Sequence, residues 1–394
     1  MPNSKCVLVL VESSRSYSRG CLAGIAAYAR VHPRFRIVHL ERSLGEGMRS
    51  PLRRWKADGV IARVETLQMA RAVNRLKLPT VHLRSVQCPL HGALLETDHK
   101  ACARLAADHF LRHKFRHFAF CGYSDITFSD QRCGAFIELV GTHGYSVDVF
   151  DPPRRDSESD DVLALEARGE LPNRQLVRWL KSLPRPVAVF ACNDVRGRQV
   201  LTAAQQAGFH VPDEVAVLGA ANDESICDLL APPLCIVEPD TKRIGYEGAT
   251  LLDQMMAGEP APEETILIPP KGIQMRQSSD VVAIADKDVV AALRYIRDCA
   301  CDGITAQDVA GHVSLSRATL DRRFQDLVGH SPKKEIDRIR INRAKQLLIE
   351  TEYKVSVIGS MAGYTMAPQF VTAFRRMTGV TPGEYRVDAM RKKA

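Results

Sequence analysis

The chain has 394 residues, with 54 Lys and Arg against 46 Asp and Glu, a formal charge of +8 and a mean hydropathy of −0.15. That length accommodates two or three domains, and no apolar run approaches the ~20 residues of a membrane-spanning helix. The eleven cysteines include no Cys-x-x-Cys pair, so reduced, buried thiols are expected rather than a disulfide scaffold or a metal centre, and no cofactor is called for.

Residues 6–11 are uniformly apolar, as a buried strand is, and Glu12 closes the run too early for a secretory leader. The expected location is the cytoplasm. Residues 12–19 form a polar loop carrying Tyr17 and Arg19, and 20–29 place Leu22, Ile25 and Ala26 on one helical face. Strands are predicted at 35–40, 58–62 and 78–83, with helical segments at 53–56 and 67–76. A long amphipathic helix spans 98–113. Its His99, His109 and His113 have no acidic partner at ligand spacing and are read as surface residues. Strand 118–122 and helix 130–140 follow, then strand 146–150, a charged insert at 151–171, helix 174–183 and strand 186–191. Helix 195–208, strands 215–220 and 234–238, helix 244–256 and strand 265–269 complete this part. Strands alternating with helices argue for doubly wound parallel sheets, whose ligands bind beyond the carboxyl ends of the strands.

Charge divides unevenly. Residues 287–394 hold 19 basic and 12 acidic residues, a net +7, leaving 35 and 34, a net +1, in residues 1–286. A basic tail on a near-neutral body is the electrostatic footprint of nucleic-acid binding.

That tail contains an internal repeat. Thr305 suits an N-cap with Asp308 in the first turn, and Val309, Ala310 and Val313 form an inner face. After a tight break, Ser316 caps a helix over 317–328 whose apolar positions are Leu320, Phe324 and Leu327. The same grammar returns with a helix at 355–362, a break at Gly363, which fits a position needing positive φ, and a helix over 369–377 holding Phe370 and Phe374. Each second helix leads to a Gly-x-x-Pro exit, Gly329 to Pro332 and Gly379 to Pro382. A connecting helix over 333–350 is roughly 27 Å long, against about 34 Å for one turn of B-DNA, so two reading helices joined by it can enter successive major grooves.

The run Ser316-Arg317-Ala318-Thr319-Leu320-Asp321-Arg322-Arg323-Phe324 and the terminal Thr378-Gly379-Val380-Thr381-Pro382-Gly383-Glu384-Tyr385-Arg386 resemble the AraC-type DNA-binding domain. The resemblance implies two helix-turn-helix units on double-stranded operator DNA. It puts Ala318, Asp321 and Arg322 toward base edges, with Ser316, Arg317, Thr319 and Arg323 nearer the backbone. In the second unit it puts Pro368 and Thr372 at the bases, flanked by Gln369 and Arg375. Arg322 can take a guanine bidentately and Asp321 can accept from a cytosine amino group. Pro368 and Thr372 offer little hydrogen bonding, so the first unit is expected to specify and the second to position.

Residues 5–280 resemble the LacI-type regulatory domain, through Ala57-Asp58-Gly59-Val60-Ile61, Asp130-Gln131-Arg132-Cys133-Gly134-Ala135-Phe136 and Val189-Phe190-Ala191-Cys192-Asn193-Asp194. The expected fold is a two-lobed α/β periplasmic-binding-protein-like sensor over 1–283, followed by an all-α double helix-turn-helix domain over 284–394. The resemblance implies a sugar cleft faced by Tyr17, Arg19, Arg132, Asn193 and Asp194, with Tyr17, Tyr123 or Phe128 covering sugar C–H surfaces. For Arg132 the alternative is a surface ion pair; for Asn193 and Asp194 it is capping of the following helix. One position departs from the pattern: Ala221 stands where the family carries an Asp that grips hydroxyls, and Asn222 or Asp223 are the candidates to replace it.

These readings imply a transcription regulator responsive to a monosaccharide, xylose or another pentose or hexose. It would work as a homodimer, possess no membrane partner, activate a carbohydrate-utilisation operon and engage RNA polymerase. The alternative is a DNA-binding protein whose body only dimerises or docks. An enzyme is not expected: no G-x-S-x-G elbow, P-loop, H-E-x-x-H or G-x-G-x-x-G occurs.

Overall fold

The computed structural model describes residues 4–41, 52–84, 90–150, 174–221, 223–284 and 286–393. The charged insert at 151–171 and Asn222 lie outside the described residues. The chain divides into two compact units, Met1–Val281 and Val282–Ala394.

The first unit holds two six-stranded sheets. One runs β2 (Phe35–His39), β1 (Lys5–Leu10), β3 (Gly59–Ala62), β4 (Thr80–His82), β5 (Ala93–Thr97), β11 (Ile266–Ile268), all parallel. The other runs β7 (Val147–Phe150), β6 (His117–Cys121), β8 (Val187–Ala191), β9 (Val215–Ala220), β10 (Cys235–Glu238), β12 (Gly272–Gln274), with only β12 antiparallel. Consecutive elements build one lobe to Thr97, then the second to Glu238, and return to supply each lobe's last strand.

Covering helices on both faces explain the fully apolar strands. In β6, Ala119 and Cys121 join the core of one face, while Phe118 and Phe120 join an aromatic cluster with Phe110, Phe136 and Phe190 on the other. This is the period-two alternation of a strand buried on both sides. In the first lobe, helices Ser16–Val31 and Thr241–Met256 lie closely together at Gly24 and Gly245.

Several expectations need correction. β5 has no counterpart among the predicted strands: Ala93-Leu94-Leu95-Glu96-Thr97 is short and carries a charge, yet it lies centrally between β4 and β11 with Glu96 buried. The helix Glu224–Leu229 and β12 are likewise additions to the predicted elements. The first helix begins at Ser16 rather than Gly20, because the Glu12 carboxylate gathers the Ser14 and Arg15 amides at 2.6 and 3.0 Å and shortens the loop. Nor are His99 and His109 surface residues; both are buried, and His109 Nε2 lies 3.1 Å from the Ser279 hydroxyl.

The second unit is all helical among its described residues. Helix Lys287–Cys299, capped by Asp286, packs with Ala306–His312 and Arg317–Leu327 around Val289, Ile296, Val309, Leu320 and Phe324. A second core joins Val355–Met361 and Ala367–Thr378 through Ile358, Phe370 and Phe374. Helix Pro332–Glu350 serves both, giving Ile336 to the first core and Ile341, Ala344, Leu347 and Leu348 to the second. Thr305 and Asp308 form a reciprocal capping box. Gly363 has φ +85°, and a Cβ there would lie 2.8 Å from the Ala300 carbonyl oxygen.

Candidate ligand cleft and DNA-reading helices

Segments at the carboxyl ends of strands from both lobes enclose a cleft of about 230 Å³. The first lobe contributes Arg15, Ser16 and Tyr17 after β1, Arg63 after β3, Leu83 and Arg84 after β4, and Glu96 on β5. The second contributes His99, Phe128, Arg132, the Asn193-Asp194-Val195 turn and Arg198, with Ala221, Asp223 and Ile226 after β9. Of the sequence-predicted residues, Tyr17, Arg132, Asn193, Asp194 and Asp223 come together here. Arg19 does not line the cleft; its guanidinium pairs with Asp223 at 2.9 Å and donates to the Ser14 carbonyl at 2.7 Å. Tyr123 is buried beneath Arg196 rather than facing the cleft, whereas Phe128 lines it.

The walls are preorganised. Asn193 is the N-cap of helix Asp194–Ala207, its side-chain oxygen accepting from the Arg196 amide at 2.8 Å. The Asp194 carboxylate accepts from the amides of Val195 at 2.9 Å and Asp223 at 3.0 Å, tying the β8 turn to the β9 loop. Burial raises its pKa above the usual carboxylate value, against those two amide bonds. Capping and cleft lining therefore coexist at Asn193 and Asp194. Arg63 pairs with Glu65 at 2.5 Å and Glu12 at 3.3 Å. Burial works to raise the Glu12 pKa, but hydrogen bonds from the Ser14 hydroxyl and the Arg15 amide and the charge of Arg63 leave it lowered. The Tyr17 hydroxyl lies 3.2 Å from that of Thr97, and burial holds the phenol protonated.

Arg132 is not a surface ion pair. It is 3% exposed, donates to the Cys192 carbonyl, and lies 5.4 Å from the Phe128 ring centre. Its Nε has no partner among the described residues. His99 is 8% exposed with Nδ1 unpartnered, and burial, then the charges of Arg132 and Arg84, push its pKa well below the usual value. The imidazole is neutral at physiological pH. Sequence reasoning missed Arg15, Arg63, Arg84, Glu96, His99 and Arg198. Three of these directly follow strands or the loops after them, and a search for charged residues past each strand would have found them.

In the second unit, Ser316 caps helix Arg317–Leu327 by accepting from the Thr319 amide at 3.2 Å. Ala318, Arg322 and Gln325 are exposed at helical spacing, giving one outward stripe. Arg317 and Asp321 form an i,i+4 ion pair at 2.8 Å, so each is already partly engaged. Arg323, expected near the DNA backbone, pairs with Asp286 at 3.1 Å and Asp288 at 2.9 Å, bracing the helix N-terminus that these acids occupy. Helix Ala367–Thr378 begins two residues before the predicted start, with Pro368 in its first turn. It exposes Pro368, Gln369, Thr372 and Arg375.

Among the described residues no helix is long and apolar enough to cross a membrane, and no cluster could hold a metal ion. Residues 107–279 match a periplasmic binding protein-like domain and residues 309–387 a helix-turn-helix domain. A two-lobed α/β body followed by paired helix-turn-helix units is the architecture of an AraC-type DNA-binding transcription regulator with a periplasmic-binding-protein-like sensor, and both parts of the chain are similar to that class.

Similarity extends over nearly the full length to xylose operon regulatory proteins. The chain is 28% identical over 390 residues to that of Haemophilus influenzae, covering 97% of this chain and 98% of the relative. It is 27% identical over 389 residues to that of Escherichia coli K12, covering 96% of each. The solved structure of the xylose-binding transcription activator xylR matches 97% of both chains with a TM-score of 0.75 and 27% identity.

Proposed function

We propose that the protein is a sugar-responsive transcription activator of a carbohydrate-utilisation operon. The effector is a monosaccharide or a derivative of that size, held between the lobes by Tyr17, Arg132, Asn193, Asp194 and Asp223, with Arg19 positioning Asp223. Asn222 is a further candidate from its place in the sequence. Effector binding changes the relation of the lobes, alters a homodimer and thereby sets how paired DNA-binding domains occupy their operator in the cytoplasm. RNA polymerase is the partner on which the bound activator acts. Ser316, Arg317, Ala318, Thr319, Asp321 and Arg322 form the first DNA-reading surface; Pro368, Gln369, Thr372 and Arg375 form the second.

The observation that carries this reading is the cleft itself. Its volume of about 230 Å³ falls just below the ~300 Å³ at which sites for drug-sized ligands begin, which suits a ligand as small as a monosaccharide, and it combines charged groups with Tyr17 and Phe128. Hydroxyl-rich ligands need that mixture of hydrogen-bonding forks and aromatic faces. The test is calorimetry of the full chain against monosaccharides and their derivatives, followed by footprinting of the protein on the DNA upstream of its own gene. Binding lost in Asp194→Ala, with a footprint that changes on effector addition, supports the proposal. Absence of binding by every compound, from protein that still footprints, refutes it in favour of a body that only dimerises or docks.

A further inference from the structure

The cleft carries more positive charge than a neutral sugar requires. Five arginines line it, Arg15, Arg63, Arg84, Arg132 and Arg198, against three carboxylates. Arg63 has its own acids in Glu12 and Glu65. Arg132 has none: it is nearly inaccessible, no carboxylate pairs with it among the described residues, and its Nε is unpartnered. A buried guanidinium without a counter-ion is costly, and the cost is relieved by an anion that enters beside it.

The arrangement spans both lobes. Arg84, following β4, and Arg132, on helix Thr127–Gly141, each place their guanidinium carbon 5.4 Å from the Phe128 ring centre. Both guanidiniums therefore meet the cleft at one ring, where a single negative group between the lobes can be held by forks from each side. Neutral His99 sits at the same ring, 6.4 Å between centroids, with an unpartnered nitrogen available for a ligand hydroxyl. Ala221, also in the lining, adds no charge where a carboxylate would oppose an anion.

We infer that the effector is an anionic monosaccharide, whose negative group engages Arg132 and Arg84 around Phe128. This rests on the reading of the cleft as an effector site and narrows it to a ligand class. The anion is a carboxylate, as in a uronic or aldonic acid, or a phosphate ester, and the shared chemistry is a planar or tetrahedral oxyanion met by guanidinium forks. Such a regulator senses the product of sugar oxidation or of sugar phosphorylation rather than the free sugar.

The test is calorimetry on the full chain at two ionic strengths. The probes are D-xylose and D-glucose, D-xylonate and D-glucuronate, and D-xylose 5-phosphate and D-glucose 6-phosphate. The expected result is an acid or a phosphate binding at least about tenfold more tightly than its neutral parent, with affinity falling as salt rises. Which arm binds identifies the oxyanion. Arg132→Gln should abolish the preference. Because that variant alters a buried residue, Ala221→Asp supplies an independent check. Ala221 has φ +74°, a conformation Asp adopts more readily than Ala, so this variant should keep its melting temperature while losing about tenfold in anion affinity. A neutral sugar binding as tightly as its acid and phosphate overturns the inference and leaves the sensor reading intact. No binding by any probe overturns both.

Discussion

Gly245→Ala sets two principles against each other. Within a helix, Ala is favoured over Gly by about 1 kcal/mol, which predicts stabilisation. The tertiary packing predicts the reverse. A Cβ at Gly245 would stand 1.9 Å from the Cys21 carbonyl oxygen and 2.7 Å from its carbon, both backbone atoms. On the facing helix, a Cβ at Gly24 would stand 2.0 Å from the Lys242 carbonyl oxygen. Relief requires helices Ser16–Val31 and Thr241–Met256 to separate by more than an ångström. Overpacking against side chains that can yield costs ~1–3 kcal/mol, and a rigid backbone belongs at or above the top of that range. The net expectation is a loss of at least about 2 kcal/mol, or roughly 4–8 °C in melting temperature for a unit of this size. Gly134→Ala is the matched control: Gly134 is helical and exposed, and a Cβ added there would meet nothing within 4 Å, so only the propensity gain should appear. Thermal unfolding by circular dichroism on both variants decides the matter. A Gly245→Ala protein as stable as the parent would refute the close crossing. The consequence reaches the cleft, because the same helix begins at Ser16 and carries Tyr17 into the lining.

His109 titrates at about 3, chiefly through burial and then the neighbouring His113. The unfolded chain therefore binds a proton between about pH 6.5 and 3 that the native unit does not, and stability falls by up to about 1.4 kcal/mol per unit as pH drops through that window. Urea midpoints followed from pH 7 to 5 should show a shallower decline in His109→Gln; an unchanged slope would count against the burial argument. Gly363→Ala adds a side chain at φ +85° against the Ala300 and Cys301 backbone, so it should destabilise the DNA-binding unit by at least about 1 kcal/mol, read from the unfolding of that unit alone. Arg322→Ala and Arg323→Ala should separate cleanly in binding assays on operator variants. The first should lose about 1–3 kcal/mol of discrimination at one base pair. The second should lower the melting temperature by breaking its pairs with Asp286 and Asp288 while sequence preference stays intact.

Local signals carried much of this protein. Apolar runs such as residues 6–11 and 186–191 mark buried parallel strands wherever they occur, because both sheet faces are covered. Thr305, Ser316 and Gly363 mark helix ends through chemistry that involves only neighbouring residues. The repeat of helix, break and helix, with its basic surplus, was therefore legible without coordinates. Charged residues were less so, since their surroundings come from distant chain. Glu96 hid a strand inside the sheet; His99 and His109 looked like solvent-facing positions; the pairing of Arg323 with Asp286 and Asp288 could not be read from its own motif. The cleft shows the same division. Tyr17, Arg132, Asn193 and Asp194 could be nominated from motifs, but Arg15, Arg63, Arg84 and Arg198 lie on separate segments whose convergence depends on sheet order and lobe crossing. Secondary structure follows from interactions a few residues apart. Burial, ion pairing and the charge of a cavity are sums over segments far apart in the chain, and only the tertiary fold brings those segments together.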